Sequence, residues 1–527
     1  MENSQHELDG IAVALSGGGY RAAAFHLGTF RFLHSIGVLD RIRALSTISG
    51  GTIFGAAYVK SLVDGESFPD FEKRFRAFLV GTNVIAKALD GLEKSRSING
   101  RTSKASLIRA AANVYDEHYF KGLKFADILD SDIKIKDISF NTTEFRSGNA
   151  FRFQKGENVI SGNNLLRIPY ESETNRNARI ADIVAASSCF PSGFEPIRFP
   201  SDFAWPDSFG PEQVRKELGA KFSEEVPLMD GGVYDNQGLD SIDNIFDRAG
   251  KRCDLLLISD TDPRKDGYLE TPIAKPSGFF TVRQVYIAVQ AVMLLAFATL
   301  ASIAYNLVST GIEGSWFSLI FLNLIPLAFA ALVFFGILLA KARISEALEE
   351  AEKSMEIRLW ENLSGLRIGD AVEFAISRIR SLIAMSSSVF MKRIRDLGYA
   401  EIYSDEDTKN ITIANQIYSL SKDPAKKRFQ EESWSDFVDY DLLKPSDKQK
   451  EVAEKAREYG TNLWFLDSDT ENLDNLVKCG EATSCYTLLT FLLRYKKAEL
   501  LPPNPRLRKI FDDALDRWKV LKGGRGA

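Results

Sequence analysis

A short apolar run at residues 10–15 and the strand-like segments 44–48, 133–140, 150–154 and 255–259 read as strands. Apolar residues with helical spacing at 20–36 and 52–63 read as helices between them. Two of the strands end in glycine clusters, Ser16-Gly17-Gly18-Gly19 and Ser49-Gly50-Gly51. This strand–glycine–helix rhythm predicts an α/β fold, a central sheet covered by helices. Further on, residues 410–414 predict one more strand, and residues 480–495 an apolar helix that closes the compact part.

Between residues 284 and 340 the pattern changes, and Glu313 is the only charged residue. Two apolar runs, 285–308 and 316–340, are joined by Ser309-Thr310-Gly311-Ile312-Glu313-Gly314-Ser315. Each exceeds the roughly 20 residues that cross a bilayer core, so the stretch predicts a transmembrane helical hairpin. Lys275 and Arg283 flank its start and Lys341 and Arg343 its end, while the turn carries no basic residue. The positive-inside rule then puts both large polar portions on the cytoplasmic side of a two-span, multi-pass protein. Pro326 is expected to bend the second span. After the hairpin, residues 344–360 predict a charged, Glu-rich amphipathic helix.

Composition narrows the function classes. The 527 residues carry a net charge of −5, which argues against nucleic acid as the main partner because phosphate binding needs a basic surface. Cys189, Cys253, Cys479 and Cys485 are too scattered for a disulfide scaffold. No Cys/His group has metal-site spacing, so neither a metal nor another cofactor is expected. Residues 1–10 lack an apolar h-region, so no cleavable signal peptide is expected. Oligomeric state does not follow from the sequence.

The candidate chemistry gathers at the glycine clusters. Ser49 stands at a strand-to-helix turn followed by Gly50 and Gly51, a setting that strains a nucleophile's backbone and lets a substrate approach. Thr47 stands where a G-x-S-x-G elbow has its first glycine. The histidines are His6, His26, His34 and His118, so no late histidine can complete a triad in the order Ser, acid, His. His26 and His34 lie in one helix and are expected to pack or to face solvent. A carboxylate is available in Met229-Asp230-Gly231-Gly232, and a partly desolvated carboxylate can serve as a general base. Asp235, Asn236 and Asp240 read as loop caps. Gly17, Gly18 and Gly19 expose backbone N–H groups, an anion nest suited to an oxyanion or a pyrophosphate. Pyrophosphate binding would call for an acidic residue at the end of the next strand, and that strand ends at Ser49 instead. The hydrolytic reading is therefore preferred.

Taken in order, Leu15–Ala22, Thr47–Gly51 and Met229–Gly232 resemble the patatin-like phospholipase family, as do Asn141–Gly148 and Ala185–Pro191. The resemblance implies a Ser49–Asp230 dyad, with the amides of Gly17, Gly18 and Gly19 as oxyanion hole. Arg21, Gly51 and Gly231 would support them. Membrane lipids would be the substrate, hydrolysed at their acyl esters. In domain terms, residues 1–277 would hold the first part of the catalytic domain, 278–343 the transmembrane hairpin, and 344–527 a helix-rich part completing the catalytic domain. Two other readings are a catalytically silent membrane scaffold and a lipid- or nucleotide-binding sensor. The loop 199–209, rich in aromatics, is expected to pack, with a membrane-dipping rim as the alternative.

Overall fold

The computed structural model describes residues 10–191, 193–219, 225–249, 253–263, 279–310, 328, 335, 365–424, 426–466, 469–500 and 504–523. The predicted sheet is there, and it is mixed. Its strands are β1 (Ile11–Leu15), β2 (Ile42–Ile48), β3 (Asp137–Glu144), β4 (Ala150–Lys155), β5 (Ile160–Gly162), β6 (Arg167–Pro169), β7 (Ile197–Phe199), β8 (Val226–Asp230), β9 (Leu255–Asp260) and β10 (Thr412–Gln416). They run in the order β10-β9-β1-β2-β3-β4-β5-β6, with β8 pairing to both β3 and β7. From β10 to β3 the neighbours are parallel, and β1, β2 and β9 are fully or almost fully buried apolar runs, as two-sided cover by helices demands.

Among the helices are α1 (Gly19–Ser35), α2 (Gly50–Val63), α3 (Ile180–Ser187), α4 (Val282–Thr310), α5 (Ile368–Ala384), α6 (Met391–Ser404), α7 (Thr470–Tyr495) and α8 (Pro505–Gly523). Helix α1 begins inside the glycine cluster after β1, and α2 begins directly after Ser49. Glycines let α7 lie almost on the backbone of α1. A Cβ on Gly28 would come within 2.0 Å of the Val477 carbonyl oxygen, and one on Gly480 within 2.0 Å of the Phe25 carbonyl oxygen. The loop around Phe199, Phe203 and Trp205 is packed, since all three side chains are buried among one another. That disposes of the membrane-dipping alternative.

The chain divides into two compact units, one of residues 1–266 with 383–527, the other of residues 267–382. In the second unit the first apolar run forms α4, and its Val282–Thr299 part, with a mean hydropathy of 1.5, is long and apolar enough to cross a membrane. The second run, apart from Ala328 and Phe335, and the charged segment 344–360 lie outside the described residues.

Candidate active site

The sheet itself explains how two residues far apart in sequence meet. β2 runs parallel to β3 and ends with Ile48 opposite Asn141. β8 runs antiparallel along the same strand and ends with Asp230 opposite Thr142. The C-terminal ends of β2 and β8 thus meet head to head beside consecutive residues of β3. Ser49 is the next residue after β2, so its side chain lies near enough to Asp230 to oppose the rise in that carboxyl's pKa.

Ser49 has φ 50° and ψ −117°, a strained backbone for a residue with a Cβ, and it is nearly buried. The strain is held by its surroundings. Its N–H donates to Ser187 Oγ at 3.0 Å, and Ser187 Oγ donates to the Asn141 carbonyl at 2.6 Å. Thr52 Oγ1 meets Ser187 Oγ at 2.7 Å and Thr47 Oγ1 at 2.9 Å. Thr47, the departure from the elbow motif, is therefore the far end of a hydroxyl chain that fixes Ser49. Gly55 makes room for it, because a Cβ there would lie 2.5 Å from Thr47 Cγ2. Ser187, at the end of α3, is a residue whose role the sequence left unassigned, though it falls in the Ala185–Pro191 segment.

Glycine is required around the turn. A Cβ on Gly50 would sit 2.2 Å from the Gly19 carbonyl oxygen, and one on Gly51 2.4 Å from that of Leu15. A Cβ on Gly231 would meet the Asn141 carbonyl oxygen at 2.5 Å.

Asp230 is buried, its Oδ1 accepting the Gly232 N–H at 2.8 Å. Its own N–H donates to the Cys189 carbonyl at 3.0 Å, and Thr143 Oγ1 donates to its carbonyl at 2.9 Å. Burial pushes its carboxyl up to about 6, against the hydrogen bonds from Ser49 and Gly232, which favour the charged form.

The glycine loop lies over Ser49. A Cβ on Gly17 would be 3.1 Å from Ser49 Cβ. The Gly17 N–H is already engaged, donating to the Asn236 carbonyl at 3.2 Å. Gly18 and Gly19 have φ of 141° and 57°, and no acceptor takes their N–H groups among the described residues. Asn236 does more than cap a loop. Its Oδ1 lies 2.6 Å from the position of a Gly17 Cβ and is buried without a donor among the described residues. Asp235 is a cap, taking the N–H groups of Gln237, Gly238 and Asp240.

Three further groups brace the loop. Thr261 Oγ1 donates to the Gly17 carbonyl at 2.9 Å, and its N–H donates to Ser16 Oγ at 3.1 Å. Asp260 and Asp262, on either side of Thr261, both pair with Arg395 of α6, at 3.2 and 3.3 Å. Burial opposes the charge on Arg395, but the two carboxylates overcome it and raise its pKa. Arg21 lies beside this cluster and donates to the Tyr459 carbonyl at 2.9 Å. Burial first, then Arg395, lower its pKa to about 10. His26 is buried beneath the loop, with Nε2 3.0 Å from the Ser16 carbonyl and Nδ1 2.8 Å from Ser259 Oγ. Burial lowers its pKa to about 4, so it is a neutral brace at ordinary pH. His34 stacks on Phe68 at the protein's surface. Among the described residues no group of three His, Cys, Asp or Glu side chains could hold a metal ion.

Residues 13–243 match the family model of patatin-like phospholipases, a family of lipid acyl hydrolases, and this region contains Ser49, Asp230 and the glycine loop. No curated protein matches the chain. Among solved structures, the crystal structure of VipD from Legionella pneumophila matches with 14% sequence identity, covering 98% of this chain and 92% of that one. Its TM-score of 0.25 is too low to establish likeness of the whole fold.

Proposed function

We propose that the patatin-like domain at residues 13–243 is an active, membrane-anchored serine acyl hydrolase of phospholipase A or lysophospholipase type, with Ser49 as nucleophile and Asp230 as its base. The observation that carries the reading is the meeting of β2 and β8 at Asn141 and Thr142, which presents a strained serine to a buried carboxylate. Asp230 takes the Ser49 proton as Oγ attacks the ester carbonyl. The developing oxyanion lies toward the N–H groups of Gly18 and Gly19, fixed donors in a nearly buried site. Gly17 shapes the loop, its own N–H being spent on Asn236. Asp230 then returns the proton to the leaving alcohol, and the acyl-serine is hydrolysed by a water that Asp230 activates. A base with a pKa near 6 is ionised at neutral pH yet basic enough to accept the proton.

Glycerophospholipids and lysophospholipids are the substrate class that the family implies. The apolar helix α4 supports residence at a bilayer, which raises the local substrate concentration over reversible adsorption. The test is labelling by a fluorophosphonate probe together with lipidomics of liposomes, comparing wild type with Ser49→Ala. Ser49-dependent labelling and release of fatty acid by wild type alone are expected. Unlabelled wild type and unchanged lipid in both samples would instead favour a silent scaffold.

A further inference from the structure

Helix α5 carries a surface that the hydrolytic site does not use. Ile368, Val372, Ile379, Leu382 and Ile383 are all exposed, at 39%, 51%, 58%, 70% and 38%. At 3.6 residues per turn these five fall within an arc of about 100°, a continuous apolar stripe facing outward. Arg378 and Arg380, both exposed, stand on either side of it, and Arg380 also reaches Glu373 at 3.8 Å. The acidic residues of the helix, Asp370 and Glu373, are turned away from the stripe, as are Ser377 and Ser381. An exposed apolar stripe edged by arginines is the pattern of a helix lying in a membrane interface, with its cations at the headgroups.

The position of α5 supplies a second, independent observation. Its start is tied to the start of α4 by backbone hydrogen bonds. Val282 N–H donates to the Leu366 carbonyl at 3.0 Å, Ile368 N–H donates to the Phe280 carbonyl at 3.0 Å, and Thr281 bridges Arg367. Phe279 and Phe280, just before α4, are 98% and 64% exposed. If α4 enters the hydrocarbon at Val282, then α5 begins at the level of the headgroups. Aromatic residues, Arg283 and Arg367 are gathered at that same level.

We propose that α5 is an interfacial helix that lies on an anionic bilayer leaflet, its stripe from Ile368 to Ile383 in the acyl boundary and Arg378 and Arg380 at the phosphates. It rests on the reading of α4 as a membrane anchor. The helix gives the protein a preference for membranes that carry negative charge.

Nitroxide labels on the full chain, with Cys253→Ser as background, test this in vesicles of phosphatidylcholine mixed with phosphatidylglycerol. Labels go at I379C and L382C on the stripe, at S377C and S381C on the far side, and at L294C in α4. The stripe labels are expected to be at least about threefold less accessible to a water-soluble nickel chelate than the far-side labels, and more accessible to oxygen. Equal accessibility of all four labels, with L294C in the hydrocarbon, would overturn the interfacial helix and leave the anchor standing. An L294C label open to the nickel chelate would overturn the anchor and this proposal with it. Undiminished protection in vesicles of phosphatidylcholine alone would remove the preference for anionic lipid.

Discussion

Asp230 shows how much one residue owes to its burial. Its carboxyl titrates near 6 in the fold, against 3.8 when exposed. That difference sets two pH dependences. Activity toward a soluble ester is expected to rise through about pH 6 as Asp230 ionises, measured as kcat/KM against pH. A flat profile between pH 5 and pH 7 would mean that another group limits the reaction. Stability moves the other way. Because the folded-state pKa is raised, the native state binds more protons than the unfolded chain between about pH 4 and pH 6, and stability falls with rising pH across that window. Above it, the buried charge costs about 3 kcal/mol at ~1.36 kcal/mol per pKa unit. Asp230→Asn is therefore expected to be inactive, yet to raise Tm at pH 8, with the gain fading toward pH 4. An equal or lower Tm at pH 8 would show that the charge is better compensated than burial implies. The same burial explains His26, which is expected to stay neutral and to contribute no acidic limb of its own to the profile above pH 5.

At the scale of elements, the glycine loop Gly17–Gly19 is shaped by the residues just after β9 and by α6. Thr261 holds the loop directly, while Arg395 holds the carboxylates on both sides of Thr261. Tyr399 and Gln237 also reach Asp260, each at 3.2 Å, so the bracket is built from three segments. Arg395→Gln leaves two buried or half-buried carboxylates facing each other, a loss on the order of 3–5 kcal/mol for a buried pair. Its expected signature is a fall of about tenfold in kcat with KM little changed, partly restored in Arg395→Lys, because oxyanion donors act on the transition state. A drop in Tm with kcat intact would reduce Arg395 to a structural role.

For the whole molecule, the question is what the excursion from residue 267 to 382 contributes. Thr281 and Arg367 are bridged, so residues 282–366 can be replaced by a short flexible linker without stretching the chain. The shortened protein is expected to keep kcat/KM on a soluble short-chain ester within about threefold and to lose at least about tenfold on bilayer phospholipid. Comparable losses on both substrates would make the excursion a structural support of the fold.

The sequence by itself determined the strand–glycine–helix order, the two turns at Gly17–Gly19 and Ser49–Gly51, and the Asp-Gly-Gly at the end of β8. These were legible because each depends on local chemistry: apolar runs buried on two faces, and glycines where a Cβ would strike backbone. Tertiary structure alone decided the rest. Nothing local in Ser187, Asn236, Thr261 or Arg395 marks them as partners of Ser49 or of the glycine loop and its flanking carboxylates, since their places come from the register of β3, the crossing of α3 and the return of α6. That the Gly17 amide is taken by the distant Asn236 carbonyl, while those of Gly18 and Gly19 meet no acceptor among the described residues, likewise depends on packing. Three glycines in a row announce a nest, but only packing decides which of its N–H groups remain open to an anion.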